Sequence, residues 1–345
     1  MTVKGRDLAE DRFWLFGIPT SECRERGTHS NVPPMNELLR ATATIEGQPV
    51  AFTCSDGVTI GGHLWRAPGA PAGAVLVNPA TGVLARYYHR YARFLAQHGF
   101  DVLTYDYRGI GASRPDRLRG CGYRWRDWGE RDFAAALRFV DAYRRSGPLL
   151  VVGHSIGGFL PGLAANAELI DRMLTVGAQY AWWRDYAPER GVPLFLKWHI
   201  AMPAMTALCG YFPGRRLGWL EDLPAGVANE WSFRGPRFER SHPVQERQAL
   251  LARVATVRAA ILAVSVSDDE FGTLPAVRRA LRYYSGAART LVQLTPTVYG
   301  REAIGHFSLF HDSFADTFWV DTLAWLRDGT NPWPHAVVPL DDTQP

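Results

Sequence analysis

The chain has 345 residues, 47% of them hydrophobic, with 12 Trp, 13 Tyr and 17 Phe, which is the composition of a folded globular protein and excludes a disordered one. The net charge of +4 is small for this length, and the Arg pairs at 144–145, 215–216 and 278–279 are scattered, so a nucleic-acid-binding stripe is not expected. No uninterrupted apolar run reaches the roughly eighteen residues of a membrane span, and the first thirty residues lack the pattern of a secretion signal, so no membrane span is expected and the chain reads as cytoplasmic.

Residues 1–35, which end near the Pro33-Pro34 pair, show no sustained periodicity and read as an extension. From 43 to 65, two β-favouring runs flank Ser55-Asp56-Gly57, a turn signal that predicts an antiparallel hairpin at the start of a sheet. Short apolar strands and amphipathic helices then alternate: a strand at 74–77, a helix at 86–98, a strand at 102–105, a helix at 128–145, a strand at 149–153 and a helix from 156. Apolar strands of four or five residues between such helices predict a mostly parallel sheet covered by helices on both faces, an α/β architecture. A strand at 173–178 is followed by a region rich in Trp, Pro and Gly, from 179 to about 246, that breaks the alternation. The pattern resumes with a strand at 261–265, a helix at 275–284, a strand at 290–294 and a closing helix at 313–326. The four cysteines, Cys23, Cys54, Cys121 and Cys209, are far apart, which points to packing and not to zinc or a disulfide framework.

The chemistry is concentrated in Gly153-His154-Ser155-Ile156-Gly157, a G-x-S-x-G motif directly after a buried strand and before a helix. Such a turn strains the backbone of its serine and needs glycine where a side chain would collide with neighbouring chain. Ser155 is the expected nucleophile, and the helix N-terminus with the Ile156 N–H is an expected oxyanion donor. Side chains of adjacent residues diverge at a turn this tight, so His154 is expected to support and not to act as the base.

With this motif in place, residues 43–330 resemble the alpha/beta-hydrolase superfamily. The resemblance implies that fold, with a helical lid inserted, and a triad in the chain order Ser, Asp, His. It divides the chain into an N-terminal extension (1–42), a first part of the hydrolase core (43–179), an aromatic-rich cap or lid (180–246), a second part of the core (247–330) and a C-terminal tail (331–345). The acid loop it implies is Ser265-Val266-Ser267-Asp268-Asp269-Glu270. Counting from the strand end favours Asp269, with Asp268 as the alternative because Val266 stands where the family's loop has glycine. The base it implies is His306 in Gly305-His306-Phe307, in preference to His311 or His335. Asn78-Pro79-Ala80-Thr81 takes the place of the second oxyanion loop, with Ala80 the implied donor and Thr81 next. Asp106-Tyr107-Arg108-Gly109-Ile110-Gly111-Ala112-Ser113 resembles a family signature, with Asp106 and Arg108 expected to fix loops near the site. Gly210-Tyr211-Phe212-Pro213-Gly214 and Glu221-Asp222-Leu223-Pro224-Ala225-Gly226 resemble bacterial alpha/beta hydrolases of the serine aminopeptidase/lysophospholipase-like type.

These residues lead to the expectation of a serine hydrolase that cleaves a carboxylic ester, thioester or related acyl bond through an acyl-enzyme, with no metal or organic cofactor. An acyltransferase with the same triad and a non-catalytic ligand-binding protein on the same fold are the alternatives. Trp182, Trp183 and Trp198 in the lid predict a small-molecule substrate with an apolar or aromatic acyl group, or else merely a small lid core. The oligomeric state is not specified by the sequence.

Overall fold

The computed structural model describes residues 45–340. The whole expected extension (1–42), Cys23 with it, and the last five residues of the tail lie outside the described residues. The predicted hairpin is present: β1 (Gln48–Thr53) pairs antiparallel with β2 (Thr59–Trp65), Thr53 opposite Thr59, and Gly57 supplies the positive φ of 83° that their turn requires. There follow β3 (Gly73–Asn78), β4 (Phe100–Tyr105), β5 (Leu149–His154), β6 (Arg172–Val176), a two-residue ribbon of β7 (Tyr211–Phe212) and β8 (Leu223–Pro224), then β9 (Ala260–Val266) and β10 (Arg289–Leu294). The main sheet has the order β1-β2-β4-β3-β5-β6-β9-β10; β2 is antiparallel to both its neighbours and all later pairs are parallel.

Every residue of β3, β4 and β5 is buried, which is why these strands are unbroken apolar runs instead of alternating ones. Successive side chains still point to opposite faces. Leu76, Leu103, Val151 and Ile261 join one apolar cluster with Leu137, Val140 and Val277, from the helices Ala134–Tyr143 and Leu274–Leu281. Val75, Val102, Leu150 and Leu262 join the other with Tyr91, Leu95, Leu323 and Leu326, from the helices His89–Gln97 and Phe318–Asp328. Each such side chain taken fully out of water contributes about 1.5–3 kcal/mol, so this central slab is the rigid base on which strand ends can hold reactive groups.

Two elements differ from their expected extents. The helix from Ile156 is a single turn, Ile156–Phe159, continued by a tighter turn Leu160–Leu163, since Pro161 has no N–H to extend the ladder. The closing helix starts at Phe318, later than the periodicity suggests. The region after β6 is helical, as the resemblance implies, although its Pro and Gly break the periodicity: it contains a 22-residue helix, Pro188–Cys209, and a second helix, Ala225–Ser232. The long helix accommodates Pro193 and Pro203 by widening between Leu196 and Ala201, where a bond to a missing proline N–H is bypassed. By length and composition this helix could cross a membrane, although Lys197 breaks its apolar run. Its inner side is instead built into the protein: Leu194, Trp198 and Met202 share one apolar cluster with Ile156, Leu160 and Phe271 of the core.

Candidate active site

Ser155 stands at the carboxyl end of β5 with φ 55° and ψ −127°, a conformation that non-glycine residues adopt only under strain. The surroundings hold it there. The Ser155 N–H donates to the Val176 carbonyl at 2.8 Å, and a Cβ on Gly153 or Gly157 would lie 2.4 Å from Gly158 Cα or from the Asn78 carbonyl oxygen. Both glycines are therefore required by close approach of backbone, as the motif predicts. The hydroxyl is 5% exposed as part of its residue, at the floor of a cavity of about 200 Å³.

His306 lines the same cavity from the loop after β10, and its Nδ1 is 2.7 Å from Asp269 Oδ2, at the end of β9. Asp269 also accepts from the N–H groups of Phe271 (2.8 Å) and Gly272 (2.7 Å). Burial acts to raise the Asp269 pKa, but the facing His306 and these hydrogen bonds outweigh it and hold the carboxyl below its ordinary value. An ionised Asp269 can only accept, so Nδ1 carries the imidazole proton and Nε2 keeps a lone pair for a hydroxyl. Asp268, the alternative acid, turns the other way and accepts from Ile304 N–H (2.8 Å) and Gly305 N–H (3.1 Å), which ties down the loop carrying His306. The structure thus brings Asp269, and not Asp268, to the histidine. His311 lies off the site, with its ring on Ser313.

The Ser155 hydroxyl accepts a hydrogen bond from Gln179 Nε2 at 3.3 Å, and the opposite end of that amide accepts from the Ala181 N–H. Ala181 itself has φ 63°, a second strained non-glycine residue near Ser155. Sequence reasoning missed Gln179, because nothing in the local pattern after β6 distinguishes it from other loop residues.

The oxyanion expectations divide. Ile156 begins its one-turn helix, so its N–H has no intrahelical acceptor and is open to a ligand. A four-residue helix supplies little dipole, so what it offers is the local N–H. Ala80 lines the cavity, but its N–H donates to Tyr88 Oη at 3.0 Å; this corrects its assignment as a free donor and leaves Thr81, also at the cavity wall, as the next amide in line. Tyr88 Oη in turn is 2.7 Å from His154 Nδ1, and His154 Nε2 is 2.8 Å from the His306 carbonyl oxygen. A carbonyl can only accept, so Nε2 carries the proton and the tyrosine donates to Nδ1. Burial, reinforced by neighbouring His306, lowers the His154 pKa to about 3 and keeps it neutral. His154 therefore has the expected supporting role, as a buried link between the loop of Ala80 and the backbone of His306.

Asp106 accepts from Ala85 N–H (2.7 Å) and Ala112 N–H (2.9 Å), while Arg108 is paired with Asp132 (2.6 Å) and Asp56 (2.7 Å), so both brace loops as anticipated. Of the three lid tryptophans singled out, only Trp198 reaches the cavity. Trp182 lies under the Arg279 guanidinium and Trp183 against Phe195, both as packing residues. The remaining aromatic wall consists of Trp219 and Trp231 from the lid, with Trp125, Phe271 and Phe307 from the core. Trp125 could not be recognised from sequence, since it is remote from both motif and lid. Arg190, Lys197 and Glu270 complete the rim, with Arg190 and Glu270 paired at 2.9 Å.

This sheet order, the strained serine turn after the fifth strand and the helical insertion after the sixth are those of the alpha/beta-hydrolase fold. Residues 69–242 match the family described as serine aminopeptidase, S33, and the chain belongs to that family. Similar solved structures include an esterase of Pyrococcus furiosus, with 16% identity over 87% of this chain and 95% of that one and a TM-score of 0.54. A soluble variant of the Saccharomyces cerevisiae monoglyceride lipase, bound to a substrate analogue, has 17% identity over 84% and 96% of the two chains and a TM-score of 0.58. At these identities the likeness is one of fold. No curated protein matches the chain.

Proposed function

We propose that the protein hydrolyses a carboxylic ester or thioester with Ser155 as nucleophile, His306 as base and Asp269 as the acid that orients it. The observation that carries this reading is the 2.7 Å Asp269–His306 pair on the cavity whose floor is the strained Ser155. In the reaction, the Ser155 hydroxyl leaves Gln179, donates its proton to His306 Nε2 and attacks the acyl carbon; the imidazolium then protonates the leaving alcohol or thiol. Water activated by the same nitrogen cleaves the acyl-enzyme. The Ile156 N–H stabilises the oxyanion, with the Thr81 amide the candidate for the second donor. The aromatic and aliphatic cavity wall supports an apolar acyl group.

The test is labelling with a fluorophosphonate, read as adduct mass, alongside hydrolysis of short p-nitrophenyl esters. Wild type is expected to gain one adduct and Ser155→Ala none, with turnover of Ser155→Ala reduced by about 10⁴-fold or more. A folded wild type that neither labels nor turns over any ester would overturn the assignment.

A further inference from the structure

Lys197 has no part in the triad chemistry, yet it lines the same cavity as Ser155 and His306. The chain has only two lysines, Lys4 and Lys197, among 38 lysines and arginines, and Lys197 is the only lysine among the described residues. It stands half-buried on the cavity side of the helix Pro188–Cys209, with Leu194 and Trp198 of the same wall. Its ammonium lies 4.5 Å from the ring centre of Trp198 and 4.7 Å from that of Trp219. Ring faces hold a cation in place but do not neutralise it. Among the described residues no carboxylate pairs with it, since Glu270, the one acid of the cavity lining, is held by Arg190 at 2.9 Å. Burial lowers the Lys197 pKa from its ordinary value; Glu270 acts the other way, and Arg190 adds to the effect of burial.

Charge and hydrogen bonding decide what completes this group. An ammonium has three donors and no acceptor. The charged side chains of the lining are Arg190, Lys197 and Glu270, so once Arg190 and Glu270 pair, one positive charge is left beside an aromatic and aliphatic wall. A half-buried charge without a counter-charge is costly, and an anion on the ligand removes that cost. The wall is short of acceptors elsewhere too, because the buried indole N–H groups of Trp125 and Trp198 have none. A cationic ligand, which the ring faces alone could take, is opposed by the ammonium already seated on Trp198 and Trp219. One unpaired cation balances a monoanion, so a carboxylate matches it better than a phosphate dianion does.

On the serine-hydrolase reading of the cavity, on which this inference rests, we propose that the substrate is an ester that itself carries a carboxylate: the scissile carbonyl lies at Ser155, an apolar spacer follows the aromatic wall, and the carboxylate sits on Lys197 Nζ at the rim. Lys197 then sets specificity through binding, while the bond chemistry stays with Ser155 and His306. A carboxylate on the acyl side makes the released acid a dicarboxylic one; on the alcohol side it makes the leaving group a hydroxy acid.

The experiment compares monoethyl adipate, with its carboxylate on the acyl side, and 6-acetoxyhexanoate, with it on the alcohol side, each against the neutral ester in which a primary amide replaces the carboxylate. The full chain should favour one of the acids over its amide by about tenfold or more in kcat/KM, and the acid that is favoured assigns the side. Lys197→Met should erase that ratio and Lys197→Arg should restore part of it; a ratio taken within one variant does not respond to loss of folded protein. Binding is read without turnover by calorimetry on Ser155→Ala, which should hold the favoured acid more tightly than its amide and lose the difference when Lys197→Met is added. This arm separates the two readings. Lys197-dependent binding by a chain that fluorophosphonate does not label would remove the hydrolase reading and keep the carboxylate site, whereas equal turnover of acids and amides would keep the hydrolase and remove the site. A preference for the acid that survives Lys197→Met, or no binding of either acid, would also overturn the proposal and leave Lys197 a packing cation on Trp198 and Trp219.

Discussion

Two adjacent carboxylates illustrate what single residues contribute. Asp269 is buried and faces His306, whereas Asp268 holds the Ile304 and Gly305 amides. Asp269→Asn should lower kcat by about 10³-fold or more, because the amide no longer stabilises an imidazolium and favours the wrong tautomer. Asp268→Asn keeps a carbonyl acceptor for the loop and should cost less than about tenfold, with a loss of stability near 1 kcal/mol. Equal losses of kcat in steady-state assays of both variants would contradict the division of roles. The serine was legible because its turn imposes glycines at fixed offsets, and the histidine because the family resemblance supplied an order. The count from the strand end favoured Asp269 but left Asp268 open, since one residue of register in a loop is set by the turn's hydrogen bonds and leaves no periodic trace.

Elements carry these residues by close packing of backbone. At the nucleophile turn, Gly157→Ala would place a methyl 2.4 Å from the Asn78 carbonyl and push the turn away from β3. The expected cost is about 1–3 kcal/mol, read as a lower melting temperature, together with slower fluorophosphonate labelling because Ser155 moves with the turn. An unchanged melting temperature and labelling rate would mean that the approach of these strands is looser than described. The strands themselves were readable to within one or two residues, since burial on both faces demands apolar runs. The lid was not: Pro193, Pro203 and Lys197 interrupt the 3.6-residue pattern, while the helix tolerates the prolines by widening. Trp182 and Trp183 likewise read either as substrate contacts or as lid core, and the turn after β6 directs them to Arg279 and Phe195 as packing residues.

For the whole molecule, buried histidines set a dependence on pH. Burial, aided by nearby positive or imidazole groups, lowers His154 to about 3 and His89 and His242 to about 4. In the unfolded chain each titrates near 6.5, so between about pH 6.5 and 4 the unfolded state binds more protons and stability falls as pH falls. Each histidine contributes up to about 1.4 kcal/mol per pH unit across that window. Urea unfolding should show a falling midpoint from pH 7 to pH 5, and a shallower fall in His154→Gln; a midpoint that rises on acidification would refute the sign.

The sequence alone determined the alternating α/β pattern, the hairpin that opens the sheet, the tight turn that holds Ser155 and the cavity's aromatic bias, because burial, tight turns and composition act through residues close in the chain. Only the tertiary structure decided that Asp269 meets His306, that Ala80 is spent on Tyr88, that Gln179 holds the serine hydroxyl and that Trp125 joins the wall. These depend on which strand ends lie side by side, and the contacts join residues far apart in the chain. Lys197 belongs to both levels: its rarity is written in the chain, but its place on the cavity wall, against Trp198 and Trp219, is decided by how the helix is laid across the core.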